Sequence, residues 1–183
     1  KNHLLCISSM ANEKDITSIQ QYTQQLLQQQ SAVNKLITFS GNKALDAIVN
    51  SKSATAERAG VQLHAIITTS LSDISPEDIT IIVGNALDNA IRAAKDSTGK
   101  TIDLHIQPQG AYYSIVIAND IAHSVLTNTP SLSTTKAKRS QHGFGIKNMR
   151  QAVERNQGMI QFFEQDHRFE CDILLLNMQS RNE

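Results

Sequence analysis

His142-Gly143-Phe144-Gly145-Ile146-Lys147-Asn148-Met149-Arg150 is a glycine-rich loop running straight into a helical pattern. Two glycines let a backbone approach an anion closely. The free N–H groups at a helix N-terminus are suited to phosphate. Ile146, Met149 and Val153 continue the apolar face of that helix. About 55 residues upstream stands Asn85-Ala86-Leu87-Asp88-Asn89-Ala90. Asn85 and Asn89 are four apart and stack one turn over the other on a helix face, with Arg92 three further along that face. Two carboxamide oxygens and a guanidinium beside an apolar stripe suit a divalent cation and a polyphosphate. Alone, Asn-x-x-x-Asn reads as solvated helix surface; with the downstream glycine loop it reads as the other half of a site. Asp88 stays open between support for a cation's water shell and an exposed acid.

The flanking pattern supplies the scaffold. Ser75-Pro76-Glu77-Asp78 is a helix start, with a capping Ser, Pro in the first turn and acids after it. Ile79, Ile82, Val83, Leu87 and Ile91 extend that helix to about Asp96. Upstream, Gly41 breaks a pattern, and Ala44, Leu45, Ile48, Val49 and Ala59 mark a helix closed by Gly60. Residues 61–66, 101–107 and 112–118 alternate as strands. Residues 119–142 have no periodicity and are expected to form a long loop, a lid or a disordered segment. A helix from about Gly143 to Gln157, ended by Gly158, leads to two strands, 159–165 and 168–176, joined as a hairpin around Gln165-Asp166-His167. Helices gathered with a mostly antiparallel sheet predict an α+β sandwich. Residues 1–11 and 16–37 carry helical apolar spacing, and the Gln-rich run between Gln20 and Gln30 reads as the exposed face of the second helix. Two such helices have little else to bury against, and dimerisation into a four-helix bundle would satisfy them.

Composition narrows the partners. The chain has 183 residues, 17 basic and 17 acidic, so its formal charge is zero. No basic stripe suggests nucleic acid. Trp is absent and aromatics are few, which argues against a base-stacking platform. No apolar run approaches the roughly 18 residues of a membrane span. Cys6 and Cys171 have no metal-ligand spacing and read as small buried hydrophobes in a reducing compartment. The chain opens on Lys1 and not Met, which suggests a fragment of a longer protein.

Together, in this order and at this separation, the two motifs resemble the N box and G2 box of the GHKL (Bergerat-fold) ATP-binding domain, the superfamily of gyrase, Hsp90, MutL and the sensor histidine kinases. The resemblance implies a two-layer α/β sandwich over 41–183 that binds ATP and Mg²⁺. It implies Asn89 as the Mg²⁺ ligand, Asn85 as the second polar position and Arg92 as a phosphate contact. Gly143 and Gly145 would line the phosphates. His142 would join them or face solvent as a lid residue. Ser133-Thr134-Thr135-Lys136 resembles the Ser/Thr-x-Lys turn of the kinase lid, where Lys136 would pair with phosphate or be solvated. Many members carry Asp-x-Gly-x-Gly after the strand equivalent to 112–118; here the stretch is Asn119-Asp120-Ile121-Ala122-His123, without glycine. By strand register Asn119 takes the adenine-binding position, with Asp120 as competitor, and the loop should be differently shaped.

Position 85 bears on the reaction. Hydrolytic members carry a Glu there that activates water, whereas Asn85 cannot act as a base at neutral pH. A kinase is favoured over a hydrolase. Lys1-Asn2-His3-Leu4 resembles the tail of His-Asp-x-x-Asn-His-Leu, found near the start of the dimerisation helix in peptide-sensing, quorum-type histidine kinases. The acceptor His would then lie four residues before Asn2, and His3 is the less favoured alternative. Asn42-x-x-Leu45-Asp46-x-Ile48-x-x-x-Lys52 resembles the helix that leads into the ATP domain of the same group. The resemblance implies residues 1–40 as part of a dimerisation hairpin, a homodimer, a response-regulator partner, and a cytoplasmic location within a bacterial membrane protein whose sensor region lies upstream. The alternatives are an anti-sigma serine kinase or GHKL hydrolase, and a scaffold that binds nucleotide poorly and works through dimerisation.

Overall fold

A computed structural model describes residues 40–128 and 144–179. The expected hairpin at 1–40, apart from Ser40, and with it His3 and Cys6, lies outside the described residues. Asn42 opens helix α1 (Lys43–Arg58): its Oδ1 accepts from the N–H groups of Ala44 at 3.0 Å and Leu45 at 3.2 Å. Leu45, Val49 and Ala56 form its buried stripe. The chain turns at Gly60, whose φ of +72° is left-handed and favours glycine. It then enters β1 (Gln62–Ile67).

Ser75 caps the next helix as the sequence predicts, its Oγ accepting from Asp78 N at 3.1 Å. The expected continuous helix is instead three segments: α2 (Pro76–Ile79), a π turn (Thr80–Gly84) and α3 (Asn85–Lys95). Apolar spacing encodes which residues face inward, and it does not distinguish a wider turn from an α turn. Strands β2 (Thr101–Gln109) and β3 (Tyr112–Asp120) follow. The ladder runs two residues past the alternating pattern, because Asn119 and Asp120 still pair with Phe169 and Arg168. The loop expected from 119 is therefore shorter, and it also contains a short helix, α4 (Val125–Asn128), whose first two N–H groups donate to Glu164 Oε2. The rest of that expected loop, 129–142, lies outside the described residues.

Helix α5 (Phe144–Arg155) leads into the hairpin of β4 (Met159–Gln165) and β5 (Arg168–Leu176). Asp166 and His167 take φ of +50° and +61°, the two left-handed residues of a type I′ turn. The sheet order is β1-β2-β3-β5-β4. All pairings are antiparallel except β1 with β2, which is parallel. Ile102, Leu104 and Ile106 meet Ile115, Ile117 and Ile173 on one face of the sheet, and the helices cover that face with Leu45, Ile82, Leu87 and Met149. The result is the α+β sandwich expected, and Cys171 is buried in it. No helix among the described residues is long and apolar enough to cross a membrane.

Asp78 ties the two ends of the helical layer together. Its carboxylate accepts from Arg155 Nη2 and from Asn156 Nδ2 at the end of α5. Burial alone pushes its pKa up, but the hydrogen bonds and charge of Arg155 and the Asn156 amide outweigh it and hold the carboxyl below its usual range. A pKa depressed in the folded state contributes stability that is present above the unfolded value of about 3.9 and lost as pH falls through the lower folded value. Asp78→Asn should therefore flatten the fall in stability below about pH 4. Urea midpoints measured from pH 6 down to pH 2 check this; an unchanged acid slope would contradict it.

Candidate functional site

Asn85 is the first residue after the π turn. Its Nδ2 donates to the carbonyl of Ile81 at 2.6 Å, so one end of the carboxamide is committed to the main chain. Its Oδ1 meets the first turn of α5: a Cβ built on Gly145 would lie 3.0 Å from that oxygen and 3.6 Å from Cγ. Gly145 has no left-handed backbone. Its lack of a side chain serves the close approach of the two segments.

Asn89 stands one turn along α3, half-buried, and Arg92 is exposed a further turn on. Among the described residues no group of three or more His, Cys, Asp or Glu is placed to hold a metal ion. The carboxamides of Asn85 and Asn89 are the neutral oxygen donors on this face, a hard donor type that suits Mg²⁺.

Asn119 and Asp120 part company at the end of β3. Asn119 lies on the helix-covered face with Ile115 and Ile117, is 2% exposed, and donates from Nδ2 to the Asp120 carbonyl at 2.9 Å. Asp120 faces the other way. Its Oδ2 accepts from Thr101 N at 2.9 Å and Thr101 Oγ1 at 2.8 Å, and Oδ1 pairs with Arg168 at 3.3 Å. Asp120 therefore fastens the sheet end, and Asn119 is the one turned toward the helices. Lys136, His142 and Gly143 lie outside the described residues.

Asp88 has a partner that the sequence reading did not assign. Both its oxygens lie 2.7 Å from Lys52 Nζ on α1. It is thus half of an ion pair, with its own side chain 45% exposed. The signal was present in the spacing that ends at Lys52, but nothing local links positions 36 residues apart. The pair lines a groove of about 420 Å³ between α1 and the helix of Asn85, with Ile48, Ser51, Thr80 and Asn85.

A family model described as a GHKL domain matches residues 74–176. The fold is similar to the nucleotide-free catalytic domain of histidine kinase ThkA, with a TM-score of 0.60 and 13% identity over 76% of this chain and 93% of that one. It is similar to the Acinetobacter baumannii histidine kinase AdeS, with a TM-score of 0.53 and 15% identity over 72% of this chain and 64% of that one. A mycobacterial sensor histidine kinase, MprB, matches with a TM-score of 0.54 and 13% identity over 73% of this chain and 93% of that one. No curated protein matches the sequence.

Proposed function

This chain belongs to the GHKL domain family, whose members are expected to bind ATP, and on that premise we propose that it is the ATP- and Mg²⁺-binding catalytic portion of a sensor histidine kinase of the peptide-responsive, quorum-sensing type. The observation that carries the reading is the meeting of Asn85 with Gly145, which brings the carboxamide face of α3 against the first turn of α5. When bound, Mg²⁺ and ATP supply the γ-phosphoryl group and neutralise charge during its transfer.

The chain's own residues bind and orient. Asn89 offers its carboxamide oxygen to the cation. Asn85, held by Ile81, presents Oδ1 beside it. Arg92 meets phosphate from the next turn, and Gly145 brings helix N–H groups close to the anion. Asn119 accepts from the adenine amino group. Lys136, His142 and Gly143 complete the phosphate side. Because Asn85 cannot take a proton from water, the phosphoryl group passes to a His of the dimerisation helix and then to a response-regulator Asp. The histidine kinases among similar folds support this reading at the level of fold. On this reading residues 1–40 belong to the dimerisation segment of a homodimer, and the domain works on the cytoplasmic side of a bacterial membrane.

Titration calorimetry of ATP into the full chain tests the proposal. Saturable binding that needs Mg²⁺, with phosphate release no faster than background, is expected. No heat at millimolar ATP would favour the dimerisation scaffold, and rapid phosphate release would favour a hydrolase. Gly145→Ala separates binding from stability. Alanine is the better helix former, by at most about 1 kcal/mol, and its contact with Asn85 opposes that gain, so stability should stay within about 1 kcal/mol of the parent. Its Cβ would press on Asn85 Oδ1, so ATP affinity should fall several-fold. Equal affinity in this variant would remove Asn85 from the phosphate end.

A further inference from the structure

We propose that Lys52 is a positioning residue for the cation and phosphate end of this site: it holds the Asp88 carboxylate against α1 and so keeps a negative charge from facing the bound polyphosphate. The inference rests on the ATP reading given above. Asp88 lies three residues after Asn85 and one before Asn89. On an α-helix of about 100° and 1.5 Å per residue, its side chain leaves about 60° round from Asn85 and about 100° round from Asn89. It therefore stands at the rim of the same face, within reach of whatever the two carboxamides hold.

Packing does not fix it there, since its side chain is 45% exposed. The tie is electrostatic and comes from another helix. Lys52 Nζ sits 2.7 Å from both carboxylate oxygens, and the Lys52 side chain is only 24% exposed. The ammonium thus spends its charge on Asp88 at the wall of the groove. Asn85 and Asn89 are left as neutral donors toward the cation. A partly exposed ion pair contributes little to stability. Its effect on a polyanion bound nearby is larger, because a bare carboxylate at about 8 Å weakens anion binding by about threefold to tenfold at low salt.

Four versions of this chain test this: the parent, Lys52→Met, Asp88→Asn and the double variant, each titrated with Mg²⁺ and ATP by calorimetry and melted thermally. Lys52→Met is expected to bind about three- to tenfold more weakly, and the loss should shrink in about 0.5 M salt. Asp88→Asn should bind as the parent or more tightly. The double variant should return to within about twofold of the parent, since removing the carboxylate removes the need for the lysine. A merely structural tie would shift the melting temperature in step with the affinity, whereas here affinity should change with little shift in melting temperature.

A double variant as weak as Lys52→Met would overturn the proposal, because Lys52 would then be acting on the ligand or the helix packing directly. So would a Lys52→Met protein that binds as the parent does. Asp88→Asn is decisive alone should Lys52→Met fail to fold: weaker binding there would make Asp88 a supporter of the cation and sink the idea. A parent chain that binds no ATP would defeat the nucleotide reading itself, whereas the variant outcomes bear only on Lys52.

Discussion

Replacing Asn89 with alanine is expected to abolish Mg²⁺-dependent ATP binding, with a loss of about 100-fold or more in affinity. Asn89 projects from α3 one turn beyond Asn85, on a rigid helix whose opposite face is locked into the core by Leu87, Ala90, Ile91 and Ala94. A missing oxygen on such an element is not replaced by a neighbour sliding in. Asp88 is the nearest acid in sequence, and its carboxylate is held by Lys52. Removing even an outer-shell partner of a metal typically costs ten- to a hundredfold, and a direct oxygen ligand should cost at least the upper figure. Stability should hold, because Asn89 is only half-buried and alanine is the better helix former. Calorimetry with and without Mg²⁺, beside a thermal melt, reads both effects. An unchanged titration would remove Asn89 from the metal site.

Gly158→Ala is expected to be the most damaging single methyl in the described fold. Gly158 joins α5 to β4, and its N–H donates to the Val153 carbonyl at 2.9 Å. The sequence suggests a helix-stopping glycine. The left-handed residue at this helix end is in fact Gln157, with φ of +49°. Gly158 is required for another reason: a Cβ there would lie 2.1 Å from the Leu174 carbonyl oxygen, with Leu175 Cδ2 at 3.0 Å and Val153 Cγ1 at 3.1 Å. The oxygen belongs to β5, which is paired on both sides, with Met159 and with Ser114. It cannot move without opening the sheet. Overpacking usually costs about 1–3 kcal/mol and more where nothing gives way, so a loss of about 3 kcal/mol or more is expected. For a domain of this size that is roughly 6–12 °C in Tm. Gly60→Ala is the internal control. Its φ is +72° but open space surrounds it, so only the backbone cost of about 1–2 kcal/mol applies. Urea unfolding of the two variants compares them directly; a Gly158→Ala loss no larger than that at Gly60 would contradict the packing described.

The sequence by itself determined the described strands and the apolar faces of the described helices, and singled out the two segments of the candidate site. The helix cap at Ser75, the period of Leu87 and Ile91, and the alternation of Ile102, Leu104 and Ile106 are local signals. They arise from contacts within about four residues, or from the two-residue repeat of a strand. Asn85 and Asn89 share a face for the same reason. The tertiary structure decided which distant groups meet. The parallel pairing of β1 with β2, the two extra residues of β3, the π turn that lets Ile81 hold Asn85, and the approach of Gly145 were not legible in any local pattern. Neither was the division of labour at the end of β3. Adjacent residues on a strand point to opposite faces, and only the positions of Thr101, Arg168 and the helices show that Asp120 fastens the sheet while Asn119 turns inward. Asp88 is the clearest case: a helix repeat gives the direction of its side chain, but the charge that meets it comes from Lys52, 36 residues away in sequence, and through-space electrostatics has no period to read.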